Sequence, residues 1–267
     1  MIRKPAVAGR FYPANPGELK KMIEGFITPG EKKIKAKAVV SPHAGYIYSG
    51  AVAGAVFSQI EIPNKIIILG PNHTGYGAQT AIMTEGSWEL PFGEVAIDEE
   101  FARLILEKST ILSEDVEAHL YEHSLEVQLP FIQYLKEDIT IVPIALATHN
   151  QGKLTEIGEA IGEAIAESKE EVLMVASSDM THYEDQKSAE QKDKLAINEI
   201  LALSPEKLLD TVVSYSITMC GVAPVVIALI SANKLGAKSA KLIKYATSGD
   251  ISGDYSQVVG YAGIIIW

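Results

Sequence analysis

The sequence predicts a single α/β domain spanning residues 1–267, with a central mixed, largely parallel sheet flanked by helices. Three observations predict it. Short apolar runs rich in β-branched residues occur at 39–41, 66–69, 139–146 and 172–178. Fenced by turn residues and too short for helices, they read as strands buried on both faces. Segments of helical periodicity stand between them, an order that makes successive strands parallel through crossover connections. No short-period repeat and no linker-like stretch divides the chain.

The 267 residues are enough to bury a substantial core, and 47% hydrophobic with 21% charged residues is ordinary for a folded cytosolic protein. A formal charge of -11 argues against a nucleic-acid partner, which needs a basic face to release counterions. The single cysteine excludes an internal disulfide. Residues 1–9 lack the apolar core of a signal peptide, and no apolar stretch approaches the length of a membrane span. A cytoplasmic protein with no membrane partner is expected.

In chain order, Asn15 is an N-cap with Pro16 at the first helical position, opening a helix to about residue 26. Lys32, Lys33, Lys35 and Lys37 alternate with Ile34, Ala36 and Ala38, as in an edge strand guarded by lysines or a solvated turn. The strand at 39–41 stops at Pro42 and His43. Small apolar residues at 49–57 suit a helix packed tightly on the sheet. The strand at 65–70 then stops at Pro71, with His73 just beyond. This strand, helix, strand order predicts a parallel pair with both histidines at one sheet edge.

A strand at 79–84 precedes a turn-rich stretch at 86–93, and Asp98 caps a helix through residue 106. In 122–131, Leu125, Leu129 and Ile132 repeat at helical spacing, but Pro130 would kink the helix. There His123, Glu126 and Gln128 either point at a site or form a surface ion pair. Pro143 in the strand at 139–146 suggests a bulge or a sheet edge. A helix at 154–168 carries Leu154, Ile157, Ile161 and Ile165 on one side, and the strand at 172–178 ends at Asp179 and His182. Helices follow at 187–203, after the cap Ser204 with Pro205, and at 225–234. Strands at 238–246 and 257–267 close the chain around a Gly-rich loop at 248–255, which lines the crevice or is an ordinary turn.

The chemistry gathers at strand ends. In open α/β sheets ligands bind beyond the carboxyl ends of the strands. One histidine there would ordinarily bond a neighbouring backbone, but strand, proline, histidine occurs twice, which favours a shared site. Ser177 and Ser178 lead into Asp179 and His182 at a third strand end, a poor use of core space without a polar role. Cys220 precedes a predicted helix, where the dipole and free N–H groups favour a thiolate. It could join His43 and His73 around a transition metal, three ligands leaving an open position as in catalytic sites. It could instead be a nucleophile activated by a histidine that Asp179 orients, or a small buried apolar residue.

The blocks Arg3 with Pro5 to Pro13, Ser41-Pro42-His43-Ala44-Gly45-Tyr46, Gly70-Pro71-Asn72-His73, residues 122–131, Ser177-Ser178-Asp179 with His182, and Cys220-Gly221 together resemble the Memo family, in family order from end to end. The resemblance implies a fold shared with the LigB-type class III extradiol dioxygenases, which are non-haem iron enzymes. It implies a metal cleft of His43, His73 and Cys220, with His182 matching the dioxygenases' acid/base histidine and Asp179 and His123 as its polar neighbours. The dioxygenases complete their iron site with a carboxylate where this chain offers Cys220.

The leading expectation is therefore a Memo-like protein with a His/His/Cys cleft for a transition metal ion, iron first and copper or zinc as alternatives, in a dioxygenase-like redox role. His182, Asp179 and His123 are the expected catalytic groups. A small molecule or peptide is the expected cleft ligand, and a homo-oligomer is compatible with the sequence. Two alternatives stand beside it: a catalytically inactive binding module for a peptide or small anion, and a cysteine- or zinc-dependent hydrolase.

Overall fold

The computed structural model describes residues 1–28 and 33–267, so Lys32 of the lysine cluster lies outside the described residues. Strand β1 (Ile2–Arg3) precedes helix α1 (Pro16–Glu24). Asn15 caps α1 as its sequence requires, its side chain accepting from the Gly17 and Glu18 N–H groups. Ile34 makes only a single bridge to Ile60, so the expected edge strand is absent from the described residues of that stretch. Then follow β2 (Ala38–Ser41), α2 (Tyr46–Phe57), β3 (Lys65–Pro71) and β4 (Thr80–Ile82).

The stretch read as turn-rich is a hairpin, β5 (Ser87–Leu90) with β6 (Gly93–Ile97). Trp88 and Leu90 are buried and alternate with half-buried neighbours, a period-two pattern that the surrounding Gly and Pro obscured. Asp98 caps α3 (Glu99–Lys108), and β7 (Ser113–Glu114) and α4 (Glu117–Leu120) follow. The segment around Pro130 is two helices, α5 (His123–Glu126) and α6 (Leu129–Leu135), because proline is accommodated in the first turn of a new helix more easily than in an interior.

The chain continues through β8 (Thr140–Leu146), α7 (Gln151–Ser168), β9 (Val172–Ser177), β10 (His182–Glu184), α8 (Gln186–Leu201) and α9 (Pro205–Ser214). Pro205 opens α9 as expected, but the Ser204 side chain makes no capping bond. Last come α10 (Val222–Lys234), β11 (Ala240–Thr247), the short α11 (Gly249–Ser252) inside the Gly-rich loop, and β12 (Val258–Ile266).

One mixed sheet joins these strands in the order β1-β5-β6-β8-β3-β9-β2-β12-β10, with β11 on β12 and β4 bridging β7 and β8. Its centre, β8-β3-β9-β2, is parallel, and β12 runs antiparallel to β2. Val39, Val40, Ile66 to Leu69 and Leu173 to Ala176 are buried throughout, as the continuous apolar runs demanded. Helix α2 packs on β2, β11 and β12, and α10 packs on β2, β3 and β9.

Two further expectations, on strand order and on Pro143, differ from the structure. Strands β2 and β3 are parallel but not neighbours, since β9 lies between them and pairs with both. A strand, helix, strand unit sets direction, whereas adjacency is decided by which equally apolar strand fills the gap. Pro143 occupies neither a bulge nor an edge strand: it pairs with Ile68 of β3 inside the sheet. On its other side the neighbour of β8 changes from β6, at Ile141, to β4, at Ile144, so its missing N–H falls where the ladder is already interrupted. The result is that the carboxyl ends of β3, β9 and β2 stand side by side. No helix among the described residues is long and apolar enough to cross a membrane.

Candidate metal centre

His43 leaves the end of β2 and is 2% exposed. Its backbone N–H donates to Asp179 Oδ1 at 2.8 Å, which ties the β2 end across to the β9 end. Its Nδ1 lies 2.9 Å from Ser177 Oγ and its Nε2 lies 3.2 Å from Cys220 Sγ. Burial holds the imidazole well below its ordinary pKa, and the neighbouring His123, His73 and His182 act in the same direction. The ring is therefore neutral, the form that ligates metals.

His73 follows β3 and is gripped by Glu122, whose Oε2 accepts its backbone N–H and whose Oε1 lies 3.0 Å from its Nδ1. Glu122 is also the N-cap of α5, accepting the Ser124 N–H at 2.8 Å, and the same Oε1 is 3.3 Å from His123 Nδ1. Burial opposes charge on Glu122, but the bonds from His73 and Ser124 and the nearby His123 outweigh it and hold the carboxyl at about 2. An ionised carboxylate only accepts, so His73 carries its proton on Nδ1 and keeps the Nε2 lone pair free. The His73 and His123 rings stack 4.7 Å apart, and the His43 ring stands edge-on to both.

His43, His73 and His123 each offer a donor atom, and these atoms lie within 4.8 Å of one another. The donor set fits a transition metal: His43 and His73 have their far nitrogens engaged by Ser177 and Glu122, the outer-shell arrangement that orients metal-binding histidines. The sequence reading placed His123 among acid/base groups and Cys220 among the ligands. In the structure His123 stands inside the imidazole cluster, and Cys220 stands against His43.

The expected thiolate is not favoured. Burial pushes the Cys220 thiol up, Asp179 adds to the effect, and the backbone N–H groups of Asp179, Cys220 and Gly221 offset only part of it. Helix α10 begins at Val222 with Gly221 at its N-cap, and desolvation outweighs the N–H groups that this end offers Cys220. A bound metal ion would reverse this balance by stabilising the deprotonated sulfur directly.

Asp179 is buried, and burial raises its carboxyl to about 6 despite hydrogen bonds from the His43 and Ala44 backbones. His182 lies outside the imidazole cluster, half-buried, with its N–H on Thr218 Oγ1 at 2.7 Å and its Nδ1 2.9 Å from Thr218 O. A carbonyl can only accept, so Nδ1 donates and Nε2 is left to act as an acceptor. Buried Asp193 anchors the segment before His182, accepting the Thr181 N–H at 2.8 Å and the Tyr245 hydroxyl at 2.7 Å.

Glu126, one of the three candidates in 122–131, turns to the N-terminal segment instead of the cluster. It accepts from Arg3, from the Ala6 and Val7 N–H groups and from Tyr12 OH. Gln128 lies behind His43, donating to Pro42 O and Ser177 Oγ. Sequence reasoning missed Glu122 as the carboxylate that serves two histidines. A glutamate immediately before a histidine where a short helix begins was the available signal, but it also describes a surface ion pair.

Comparison with known proteins places this geometry in context. Residues 3–265 match the family model described as Memo-like protein. A MEMO1 family protein of Methanopyrus kandleri is 44% identical over 279 residues, covering 99% of each chain. One from Aquifex aeolicus is 46% identical over 268 residues, covering 99% of this chain and 98% of the other. The crystal structure of an uncharacterized protein of Escherichia coli K12, JW3007, superposes with a TM-score of 0.59 at 12% identity, covering 85% of this chain and 98% of that one, a likeness of fold.

Proposed function

The chain belongs to the Memo-like protein family, and on that premise we propose that it is a metal-binding protein whose ion is held by His43, His73 and Cys220, with His123 closing the donor set. The observation that carries this reading is the convergence of three imidazoles whose donor atoms lie within 4.8 Å of one another. The 3.2 Å separation of Cys220 Sγ and His43 Nε2 is close to the edge of a coordination polyhedron whose bonds are about 2.0–2.3 Å. Imidazole with thiolate suits iron, copper and zinc, and iron is the ion proposed first.

A bound redox-active ion would supply electron transfer between an organic ligand and an oxidant such as dioxygen. The chain's own residues would handle protons and orientation. His182 keeps an acceptor nitrogen free, while burial raises the Asp179 carboxyl and so favours its holding a proton beside His43. A small molecule or a peptide segment would lie beside exposed Tyr183, whose ring is 5.9 Å from that of His182.

The test is metal analysis of protein purified without added metal, alongside His43→Ala, His73→Ala and Cys220→Ala. Near-stoichiometric metal in the parent and severe loss in the variants are expected. Equal and negligible metal in all four samples would end the proposal.

A further inference from the structure

We infer that Ser177 and Gln128 are positioning residues that fix the tautomer of His43, keeping its proton on Nδ1 and its Nε2 lone pair directed at the metal position. All the groups involved are buried: Ser124, Gln128 and Ser177 are 0% exposed. The donors and acceptors around them admit one assignment. Gln128 Nε2 faces two backbone carbonyls, Pro42 O at 2.9 Å and Ser41 O at 3.3 Å. The amide oxygen cannot occupy that position, because it would meet two acceptors, so the NH2 group is there.

Its remaining N–H then donates to Ser177 Oγ at 2.8 Å. The Ser177 hydroxyl has a single hydrogen, which goes to Ser124 O at 2.6 Å, since a carbonyl offers nothing in return. One acceptor site is left on Oγ, facing His43 Nδ1 at 2.9 Å. That site can be filled only by an N–H, so His43 Nδ1 is protonated and Nε2 is not. The order of donation therefore runs from Gln128 and from His43 into Ser177, and from Ser177 to Ser124. The device differs from the one behind His73, where a carboxylate sets the tautomer. A neutral hydroxyl does the same work for His43 without adding charge beside Asp179.

The metal-affinity arm rests on the proposed metal centre, but the tautomer itself is a property of the metal-free protein. The experiment uses full-length metal-free protein with 15N-labelled histidine, reading the ring nitrogens by long-range 1H–15N correlation, followed by titration with Zn2+ alone. Wild-type His43 is expected in the Nδ1–H form. Ser177→Ala should move it to the Nε2–H form and weaken Zn2+ binding about 10–100-fold. Ser177→Thr, which keeps the hydroxyl, should retain the wild-type tautomer and recover most of the affinity. A wild-type His43 protonated on Nε2 overturns the inference without recourse to any variant. So does a Ser177→Ala protein with wild-type tautomer and affinity. If wild-type protein shows the Nδ1–H form yet binds no Zn2+, the tautomer lock stands and the metal reading fails.

Discussion

Arg3 and Glu126 form an ion pair with both side chains wholly buried, Nη1 to Oε2 at 2.5 Å. The guanidinium also donates to His119 O and Glu122 O and lies 4.1 Å over the Trp88 ring, so each of its three nitrogens donates and one face is covered. The pair ties the N-terminal segment to α5, the helix that begins at His123.

Removing one partner of such a pair strands a buried charge. Arg3→Ala should therefore cost about 3–5 kcal/mol, read from denaturant unfolding curves. A loss under about 1 kcal/mol would show that water or rearrangement satisfies Glu126 and that the pair does not organise α5.

Glu122 sets an acid limb of stability. Its carboxyl is held at about 2 in the folded protein against an ordinary 4.5, so the unfolded chain takes up the proton first as pH falls. The contribution is fully present above 4.5 and is lost as pH falls from there towards 2, up to about 3 kcal/mol. Glu122→Gln should flatten stability against pH in that window and weaken metal binding about 10–100-fold, because both His73 and His123 lose an ionised partner. An unchanged acid limb in the variant would contradict the assignment.

Gly221 lets the Cys220 loop close onto the end of β9. A Cβ there would collide with Ser177 O and with the Ser178 side chain. Gly221→Ala is expected to lose about 1–3 kcal/mol in thermal or denaturant unfolding and to shift Cys220 away from His43. Retention of full stability and full metal content would show that the contact yields without cost.

His182 should separate metal binding from proton handling. Its side chain is held by Thr218, outside the imidazole cluster, so His182→Ala should keep the metal and cost about 0.5–1.5 kcal/mol, the worth of the one hydrogen bond it removes. Any metal-dependent turnover found for this protein should fall about 10²–10⁴-fold in the same variant. Loss of the metal itself would move His182 into the donor set.

What the chain determined by itself was local: buried strands from unbroken apolar runs, caps at Asn15 and Asp98, Pro16 and Pro205 at first helical positions, and polar groups at the carboxyl ends of strands. These follow from backbone sterics, capping and burial, which act over a few residues. The hairpin at Ser87–Ile97 was hidden because Gly and Pro look the same at its turn as in an irregular loop.

Only the tertiary structure decided that β9 lies between β2 and β3, which puts Ser177 and Asp179 beside His43. It also decided that Glu122, not Glu126, serves the histidines, and that Cys220 is desolvated more than its backbone N–H neighbours can offset. The reason is physical. Hydrogen-bond partners and burial at this site come from segments up to 177 positions apart, and no local pattern records which distant groups will share one dry volume.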